Sequence, residues 1–266
     1  MTFSLRRGTV PLLVSMPHIG TDIPAELQGD YAERALSLED TDWHLQRLYD
    51  FLPELGASVI RPCYSRYVID LNRPPDDAPM YSGASNTELC PTHFFNGDLL
   101  YKEGREPPLA ECQRRREAYW QPYHTALAEE LERIQAEHGF ALLWDAHSIR
   151  SQIPWLFDGR LPDLNIGTAS GAAADPAIAG AAAGACAVVQ GVTSVVNGRF
   201  KGGYITRHYG RPAEHMHAIQ LEKCQSLYMQ EVAPFAYDET LACRIQPVLK
   251  NMIESSLAAA RKLYDR

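Results

Sequence analysis

The chain has 266 residues, of which 45% are hydrophobic and 22% charged. This size and balance predict one well-filled globular domain or two small ones, and because the sequence shows no internal repeat and no clear linker we expect a single domain over residues 1–266. The 33 acidic and 25 basic residues give a formal net charge of −8, which disfavours nonspecific binding to nucleic acid or to an anionic membrane. A small anionic substrate is compatible with this charge if the few cations are gathered at one place.

The six cysteines are scattered along the chain without a C-x-x-C pair, so we expect reduced thiols in a cytoplasmic protein and no disulfide framework. The apolar run from Val10 to Met16 contains Pro11 and is followed by Pro17. This run is too short for the core of a signal peptide, and no other segment has the length of a membrane span. We therefore expect no membrane partner.

The first half of the chain contains three predicted strands. Leu12 to Met16 is a short apolar run typical of a buried strand, and two β-rich segments follow at Ala57 to Arg61 and at Arg66 to Leu71. A helix is predicted from Asp40 to Leu52, because acidic residues occupy its first turn and apolar residues recur near helical spacing. Asp76 to Pro108 is rich in turn residues and has no sustained period, which predicts a long excursion and a candidate lid.

Helices and strands alternate in the second half. From Leu109 to His138 apolar residues recur every three or four positions, and Gly139 ends this helical pattern. The Ala/Gly-rich stretch from Gly171 to Gly191 predicts a closely packed helix that begins at Asp175-Pro176. The remaining predicted elements are strands at Phe140–Trp144, Val192–Val196 and His217–Leu221 and a closing helix from Glu239. This alternation predicts an α/β fold with a mainly parallel sheet, in which functional residues gather where strands end.

Three candidate metal ligands follow strands or open a helix: His18, Asp42 and His147. Two imidazoles and one carboxylate leave the fourth position of a zinc ion open to water, which is the arrangement that a hydrolytic zinc site needs. Asp145, two residues before His147, is placed to orient an imidazole. The alternative is that these are ordinary loop histidines with hydrogen-bond partners, which is the commoner outcome for any single histidine.

Glu222 directly follows the predicted strand His217–Leu221. A carboxylate there can act as general base on an activated water and then pass the proton to a leaving nitrogen. The alternative is a solvated strand-end glutamate paired with Lys223. His215 and His217 form a competing metal-binding pair, because residues two apart on a strand share a face. Neither of these two histidines follows a strand end, so we expect them to be structural or to line a substrate pocket.

A cationic segment without any acidic residue runs from Asn197 to Ala213. In a chain of net charge −8 this segment predicts an anion-binding loop, in which a planar guanidinium such as Arg207 suits bidentate recognition of a carboxylate. The alternative is a basic surface patch. Asn72-Arg73 is a second candidate clamp, because the two prolines that follow restrict the backbone there. Its alternative is an Arg73 paired with a neighbouring aspartate.

Six segments, occurring together and in this order, resemble the N-formylglutamate amidohydrolase family. They are spread over Ser15 to Glu222 and comprise SMPHIGTDIP, DTDWHLQRLYDF, DLNRPP, WDAHSI, NGRFKGGYITRHYG and IQLE. The resemblance implies a zinc-carboxypeptidase-like (phosphorylase/hydrolase-like) α/β fold whose mainly parallel mixed sheet is covered by helices on both faces. It also implies hydrolysis of N-formyl-L-glutamate to formate and L-glutamate, the last step of a histidine degradation route.

The same resemblance implies a role for individual residues. Zinc is expected on His18, Asp42 and His147, and Glu222 is similar to the general base of the family's relatives. In related zinc hydrolases the carboxylate ligand lies three residues after the first histidine, a position that Thr21 occupies here. Asp22 and Asp40 therefore stay open as alternatives to Asp42.

Glutamate carries two carboxylates, which gives a reason for two clamps. Asn72-Arg73 is similar to the Asn-Arg pair that grips the α-carboxylate, and Arg207 with Tyr204 or Lys201 is the expected clamp for the other carboxylate of this dianionic substrate. Two rival functions stay open. One is a related zinc hydrolase acting on another N-acyl amino acid or a peptide, and the other is a noncatalytic anion-binding or metal-binding protein.

Overall fold

The computed structural model describes residues 1–80 and 87–264, which contain a seven-stranded sheet. Its strands are β1 Phe3–Arg6, β2 Leu12–Ser15, β3 Ser58–Pro62, β4 Ala141–Ile149, β5 Leu164–Gly167, β6 Ser194–Val196 and β7 Met216–Cys224. They lie side by side in the order β1-β3-β2-β4-β7-β5-β6. The central strands β3, β2, β4 and β7 are mutually parallel, whereas β1 and β5 pair antiparallel to β3 and β7. The predicted mainly parallel α/β sheet is confirmed.

Seven α-helices surround this sheet. They are α1 Ala25–Gln28, α2 Leu45–Leu48, α3 Leu109–Arg115, α4 Gln121–His138, α5 Pro176–Ala187, α6 Tyr204–Tyr209 and α7 Glu239–Tyr264 in the described part of the chain. A π-helical turn at Arg116–Trp120 joins α3 to α4, and Gly139 ends α4 with a φ of 79°. The helix predicted from Leu109 to His138 is therefore confirmed. The Ala/Gly-rich helix is confirmed as α5, whose first turn is capped by the Asp175 side chain.

Helices cover both faces of the sheet, as the family resemblance implied. Alternate residues of β4 enter different apolar cores: Trp144 packs with α2, α5 and α7, whereas Leu143 packs with α4 and α6. Because water is excluded from both faces, β4 and β7 are buried along their whole length. Polar side chains on these two strands therefore lie inside the protein, where each needs a partner.

The helix predicted from Asp40 to Leu52 is wrong in extent, since only α2 at Leu45–Leu48 is α-helical there. The amide of Asp42 donates to the carbonyl of His18 at 3.0 Å, which holds the backbone against the loop after β2. His44 then adopts a left-handed conformation with φ 61°, which a right-handed helix cannot include. The long-range hydrogen bond overrides the local helical pattern.

The strand predicted from Arg66 to Leu71 is wrong, because this segment is a series of turns. The amide of Tyr67 donates to the Ser65 hydroxyl at 3.2 Å, and the amide of Asn72 donates to the Asp70 carboxylate at 2.8 Å. Serine and aspartate side chains that bond nearby amides in this way stabilise turns in place of a sheet ladder.

Three further boundaries differ from the sequence-based expectations. β4 and β7 are longer than predicted, so that His147 and Glu222 lie inside strands instead of directly after them. The segment predicted as a glycine-rich loop after β6 includes the short helix α6. By contrast, the excursion predicted from 76 to 108 is confirmed in its described residues, 76–80 and 87–108, which contain no helix or strand apart from isolated bridges. Positions 81–86 of that prediction lie outside the described residues.

Candidate metal centre and substrate cleft

Strands β4 and β7 place four polar side chains side by side on the face covered by α4 and α6. In the parallel register Asp145 lies beside Gln220, and His147 lies beside Glu222. Residues two apart on a strand point to the same face. Asp145 and His147 on β4 and Gln220 and Glu222 on β7 therefore all point to that face of the sheet. His147 and Glu222 both line a cleft at the carboxyl end of the central strands, together with His18 and Asp42.

His18, Asp42 and His147 form the one cluster of metal-ligand type found in residues 1–80 and 87–264. His18 lies in the loop after β2, Asp42 in the turn before α2, and His147 in β4. The two Nδ1 atoms are 3.2 Å apart, and Asp42 Oδ2 lies 3.3 Å from His147 Nδ1 and 3.8 Å from His18 Nδ1. Ligand atoms around a tetrahedral zinc at its usual bond length are about 3.3 Å apart, so these three atoms fit a metal ion.

The outer nitrogen of each imidazole is held by a buried carboxylate. His18 Nε2 donates to Asp70 Oδ1 at 2.7 Å, and His147 Nε2 lies 3.1 Å from Asp145 Oδ2. With a proton on each Nε2, both Nδ1 lone pairs face Asp42. Carboxylate-oriented imidazoles are the usual arrangement around a protein-bound metal, because the carboxylate fixes the tautomer and the ring.

The other two candidate carboxylates lie elsewhere. Asp22 is exposed to solvent, and its backbone bridges to Tyr64. Asp40 is buried, but its carboxylate accepts hydrogen bonds from Arg150 at 2.7 Å and from Tyr67 at 3.0 Å. Asp42 Oδ2, by contrast, is a buried atom that accepts no hydrogen bond from the described residues. Of the three, Asp42 is the carboxylate that is placed for a cation.

The charges around the cluster favour a positive ion at its centre. Burial lowers the pKa of His147, but the carboxylates of Asp145 and Asp42 outweigh it and raise that pKa to about 10. Burial raises the pKa of Asp42, but the neighbouring His147 and His18 outweigh it and lower that pKa. The carboxylates thus favour a positive charge beside them, and this cluster can hold a metal ion.

Glu222 is the second carboxylate that lines the cleft, beside Asp42. Its side chain is buried, and burial raises its pKa to about 7, with Asp42 adding to the rise and His147 opposing it. A carboxyl group with a pKa near neutrality both accepts and returns a proton readily.

Asn72 and Arg73 line the same cleft, on the turn after Asp70. The amide of Ile205 donates to Asn72 Oδ1 at 2.9 Å, which turns Nδ2 toward Asp145 and His147. Arg73 Nε donates to the carbonyl and the hydroxyl of Thr87, each at 2.9 Å. The pair is thus held in place at the wall of the cleft.

The backbone that carries this pair is supported from behind by α4 and the turn that precedes it. Trp120 Nε1 donates to the carbonyl of Arg73 at 3.0 Å, and His124 Nε2 donates to the carbonyl of Leu71 at 2.8 Å. Both donors are buried. These bonds fix the two carbonyls that flank Asn72.

Arg66 is a cleft residue that the sequence reasoning missed. Its guanidinium is buried, donates to Asp70 Oδ2 at 2.6 Å, and lies 3.2 Å from His18 Nδ1. Its spacing of four residues from Asp70 was the available signal, since such pairs meet where the chain turns. Asp70 itself, which orients His18, was also missed as a site residue.

Some residues of the cationic segment 197–213 line the cleft and others lie outside it. Arg199 and Phe200 line the cleft, whereas Lys201, Tyr204 and Arg207 are not part of its lining. Lys201 and Arg207 are exposed, and Arg207 Nε donates to the carbonyl of Gly202 at 2.8 Å.

His215 and His217 lie away from the cleft, at the start of β7. His217 Nε2 lies 2.7 Å from the hydroxyl of Tyr264, and His215 Nδ1 lies 3.2 Å from the carbonyl of Gly139. Their contacts are with the ends of α7 and α4. Among the described residues, no helix is long and apolar enough to cross a membrane.

The chain is similar to known proteins over almost its whole length. The family model described as N-formylglutamate amidohydrolase matches residues 10–229. The chain is 54% identical over 261 residues to a protein of Pseudomonas aeruginosa named N-formylglutamate deformylase, with 98% of each chain covered. A protein of the same name from Pseudomonas putida is 53% identical over 263 residues, covering 99% of this chain and 98% of the relative.

Solved structures show the same fold. A crystal structure of an N-formylglutamate amidohydrolase from Ralstonia eutropha superposes with a TM-score of 0.80 at 24% identity, covering 98% of both chains. A gene product of Agrobacterium tumefaciens superposes with a TM-score of 0.72 at 18% identity, covering 97% of this chain and 95% of that one. The match of the family model over most of the sequence, together with relatives above 50% identity over almost its whole length, shows that the chain belongs to the N-formylglutamate amidohydrolase family.

Proposed function

We propose that the protein hydrolyses N-formyl-L-glutamate to formate and L-glutamate, with a zinc ion held by His18, Asp42 and His147. The observation that carries this proposal is the position of Glu222, a buried carboxylate on the strand beside His147, in the same cleft as the three ligand atoms. Two histidines and one carboxylate match a catalytic zinc site. The Pseudomonas relatives named N-formylglutamate deformylase support the choice of substrate.

The reaction adds water to the formyl carbon and breaks its bond to the glutamate nitrogen. A bound zinc ion supplies Lewis-acid polarisation of the formyl oxygen and of the attacking water. Glu222 accepts a proton from the water as its oxygen bonds to the formyl carbon, and then gives that proton to the leaving nitrogen. A pKa of about 7 for Glu222 suits both proton transfers. The balance is one water consumed, with formate and glutamate released.

Cations at the cleft wall hold the substrate and the charge that develops on it. Asn72 and Arg73 bind the α-carboxylate, where a guanidinium can form two parallel hydrogen bonds. Arg66, which lies beside His18, offers a positive charge to the oxygen that becomes negative when the formyl carbon is attacked.

The physiological setting is part of the same proposal. The reaction is the last step of a histidine degradation route, on the strength of the family to which the chain belongs. The compartment is the cytoplasm, which is supported by six cysteines that are all free.

Formate release from metal-depleted protein, before and after zinc is restored, tests the proposal. We expect no turnover without metal and rapid turnover of N-formyl-L-glutamate with zinc. N-acetyl- and N-succinyl-L-glutamate serve as comparison substrates, because a pocket fitted to a formyl group excludes larger acyl groups sterically. Faster hydrolysis of either would favour the rival N-acyl hydrolase, and zinc binding without turnover of any of the three would favour a noncatalytic binding protein.

A further inference from the structure

The cleft is lined by three cations, and they occupy three different places. Arg66, Arg73 and Arg199 are the basic residues of its lining in the described part of the chain. A formylated dicarboxylic amino acid presents three oxygen-bearing groups: the formyl carbonyl, the α-carboxylate and the side-chain carboxylate. The following inference rests on the proposed function and assigns one arginine to each group.

Arg66 and Arg73 are each held at one place in the cleft. Arg66 is held beside the proposed metal ligands by Asp70 and His18, where the proposed function puts the formyl group. Arg73 is held by Thr87 and belongs to the turn that carries Asn72. Neither side chain leaves its place without breaking buried or half-buried hydrogen bonds, so the third group of the substrate needs a third donor.

Arg199 is built into a separate part of the wall. Its Nε and Nη2 lie 3.4 and 3.3 Å from the carbonyl of Leu156, and its guanidinium carbon lies 5.6 Å from the centre of the Phe200 ring. The contacts to Leu156 are longer than the usual 2.9 to 3.0 Å of such hydrogen bonds. They place the guanidinium beside Leu156 in the wall of the cleft.

The loop that carries Arg199 has a fixed starting point. Asn197 has a left-handed conformation with φ 52°, and its side-chain oxygen accepts from the amides of Thr168 at 2.9 Å and Ser170 at 3.2 Å. Its own amide donates to the carbonyl of Ile166 at 2.7 Å. The backbone that leads to Arg199 is thus held in place two residues earlier, at Asn197.

We propose that Arg199 binds the side-chain carboxylate of the substrate and thereby selects an acidic N-formyl amino acid over a neutral one. Leu156 and Phe200, which line the cleft beside it, provide apolar surface for the methylene groups between the two carboxylates. Arg199 is partly buried, and a charge there is less screened by water than one on the open surface. Arg207 and Lys201, which are exposed and outside the lining, do not have this position.

The experiment compares two nearly isosteric substrates, N-formyl-L-glutamate and N-formyl-L-glutamine, in the zinc-loaded wild type and in Arg199→Gln. A hydrogen-bonded ion pair contributes about 10- to 100-fold in binding. We expect Arg199→Gln to raise KM for N-formylglutamate by this factor with little change in kcat, and to leave kcat/KM for N-formylglutamine unchanged. Arg199→Lys should lie in between, because it keeps the charge and loses the planar pair of donors.

Arg211→Gln is the matched control. Arg211 lies in the same segment, but it is exposed and paired with Glu214 at 3.0 Å, so the same loss of charge there should change neither substrate. Loss of acidic preference in Arg207→Gln instead of Arg199→Gln would overturn the assignment. So would equal losses for both substrates in Arg199→Gln. A wild type that hydrolyses neither substrate would instead refute the proposed function, and the assignment with it.

Discussion

The two ends of the cleft are built differently. At the metal end, His18, Asp42 and His147 are at most 5% exposed, and each imidazole is oriented by a buried carboxylate. At the rim, Arg199 is partly exposed, and its hydrogen bonds to the carbonyl of Leu156 are 3.4 and 3.3 Å long. We expect the proposed chemistry at the metal end to tolerate little displacement of its atoms, whereas the proposed recognition by Arg199 needs a charge that reaches the substrate.

We expect Glu222→Gln to cause the largest loss of activity. Glu222 lies at the rigid end of the cleft, which is the end that contains His18, Asp42 and His147. The amide keeps the shape of the side chain and cannot accept the proton, so we expect kcat to fall about 10³-fold, within the usual range for a general base. Zinc content should stay unchanged, because Glu222 is not one of the three proposed ligands. Formate release and metal analysis of the same preparation measure both quantities.

Glu254→Gln is the control for that change, since Glu254 is exposed on α7 and its substitution should leave kcat unchanged. Because Glu222 acts as a carboxylate and burial raises its pKa to about 7, kcat/KM should also decline as the pH falls. A bound cation stabilises the carboxylate, so we expect this decline below about pH 7. Activity close to that of the wild type in Glu222→Gln would remove Glu222 from the role of base.

Asp145→Asn tests whether orientation of an imidazole matters at the metal end. The carboxamide can no longer fix the proton on His147 Nε2, and loss of such a partner typically weakens metal binding by about 10- to 100-fold. Competition with a chelator measures the zinc affinity. Asp158→Asn, at an exposed position, should bind zinc as the wild type does, and equal affinities in both variants would show that Asp145 does not act through His147.

Local patterns predicted the parts of the molecule whose cause is local. The strand that leads to Glu222, the apolar period of α4 and the start of α5 were predicted for this reason. The turn at Asp42 was not visible, because its cause is a hydrogen bond to the carbonyl of His18, far away in sequence.

The same limit applies to the cations. Net charge and the acid-free segment indicated an anion site in the right loop, but only the folded backbone distinguishes Arg199, which lines the cleft, from Arg207, which does not. Arg66 and Asp70 lie in a segment whose β-rich composition predicted a strand. The side chains of Ser65 and Asp70 accept hydrogen bonds from the nearby amides of Tyr67 and Asn72, which makes the segment a turn.

His124 of α4 binds the backbone carbonyl of Leu71 beside Asn72. The titration of this buried histidine should affect how the stability of the protein depends on pH. Burial lowers the pKa of His124 to about 3, against about 6.5 in the unfolded chain. Between these values the unfolded state binds the proton and the folded state does not, so His124 opposes folding increasingly as the pH falls below 6.5. From pH 7.5 to pH 5 this costs about 2 kcal/mol.

Urea unfolding at the two pH values measures that loss. In His124→Gln the neutral amide removes the titration, while its nitrogen keeps a donor for the carbonyl of Leu71. We expect the free energy of unfolding of this variant to fall by about 2 kcal/mol less than that of the wild type over the same interval. Equal losses in the two proteins would show that the proton is taken up elsewhere.

Gly203→Ala tests whether the Asn72 amide must keep its position beside His147. A Cβ at this position would lie 2.3 Å from Asn72 Nδ2 and 2.6 Å from Asn72 Oδ1, so the Asn72 amide, whose Nδ2 lies 3.0 Å from His147 Nε2, must shift. We expect kcat/KM for N-formylglutamate to fall about 10-fold, a modest misplacement of a binding group, with zinc still bound.

Gly184→Ala is the matched control for this smallest effect, because Gly184 lies inside α5 with no heavy atom within 4 Å of an added Cβ. It should leave kcat/KM unchanged and increase the free energy of unfolding by about 0.5 to 1 kcal/mol. Unchanged kcat/KM in Gly203→Ala would mean that the enzyme tolerates movement of the Asn72 amide. Asn72 would then belong with Arg199 among the adaptable recognition groups, and the rigid end would contain only the metal ligands, their carboxylates and Glu222.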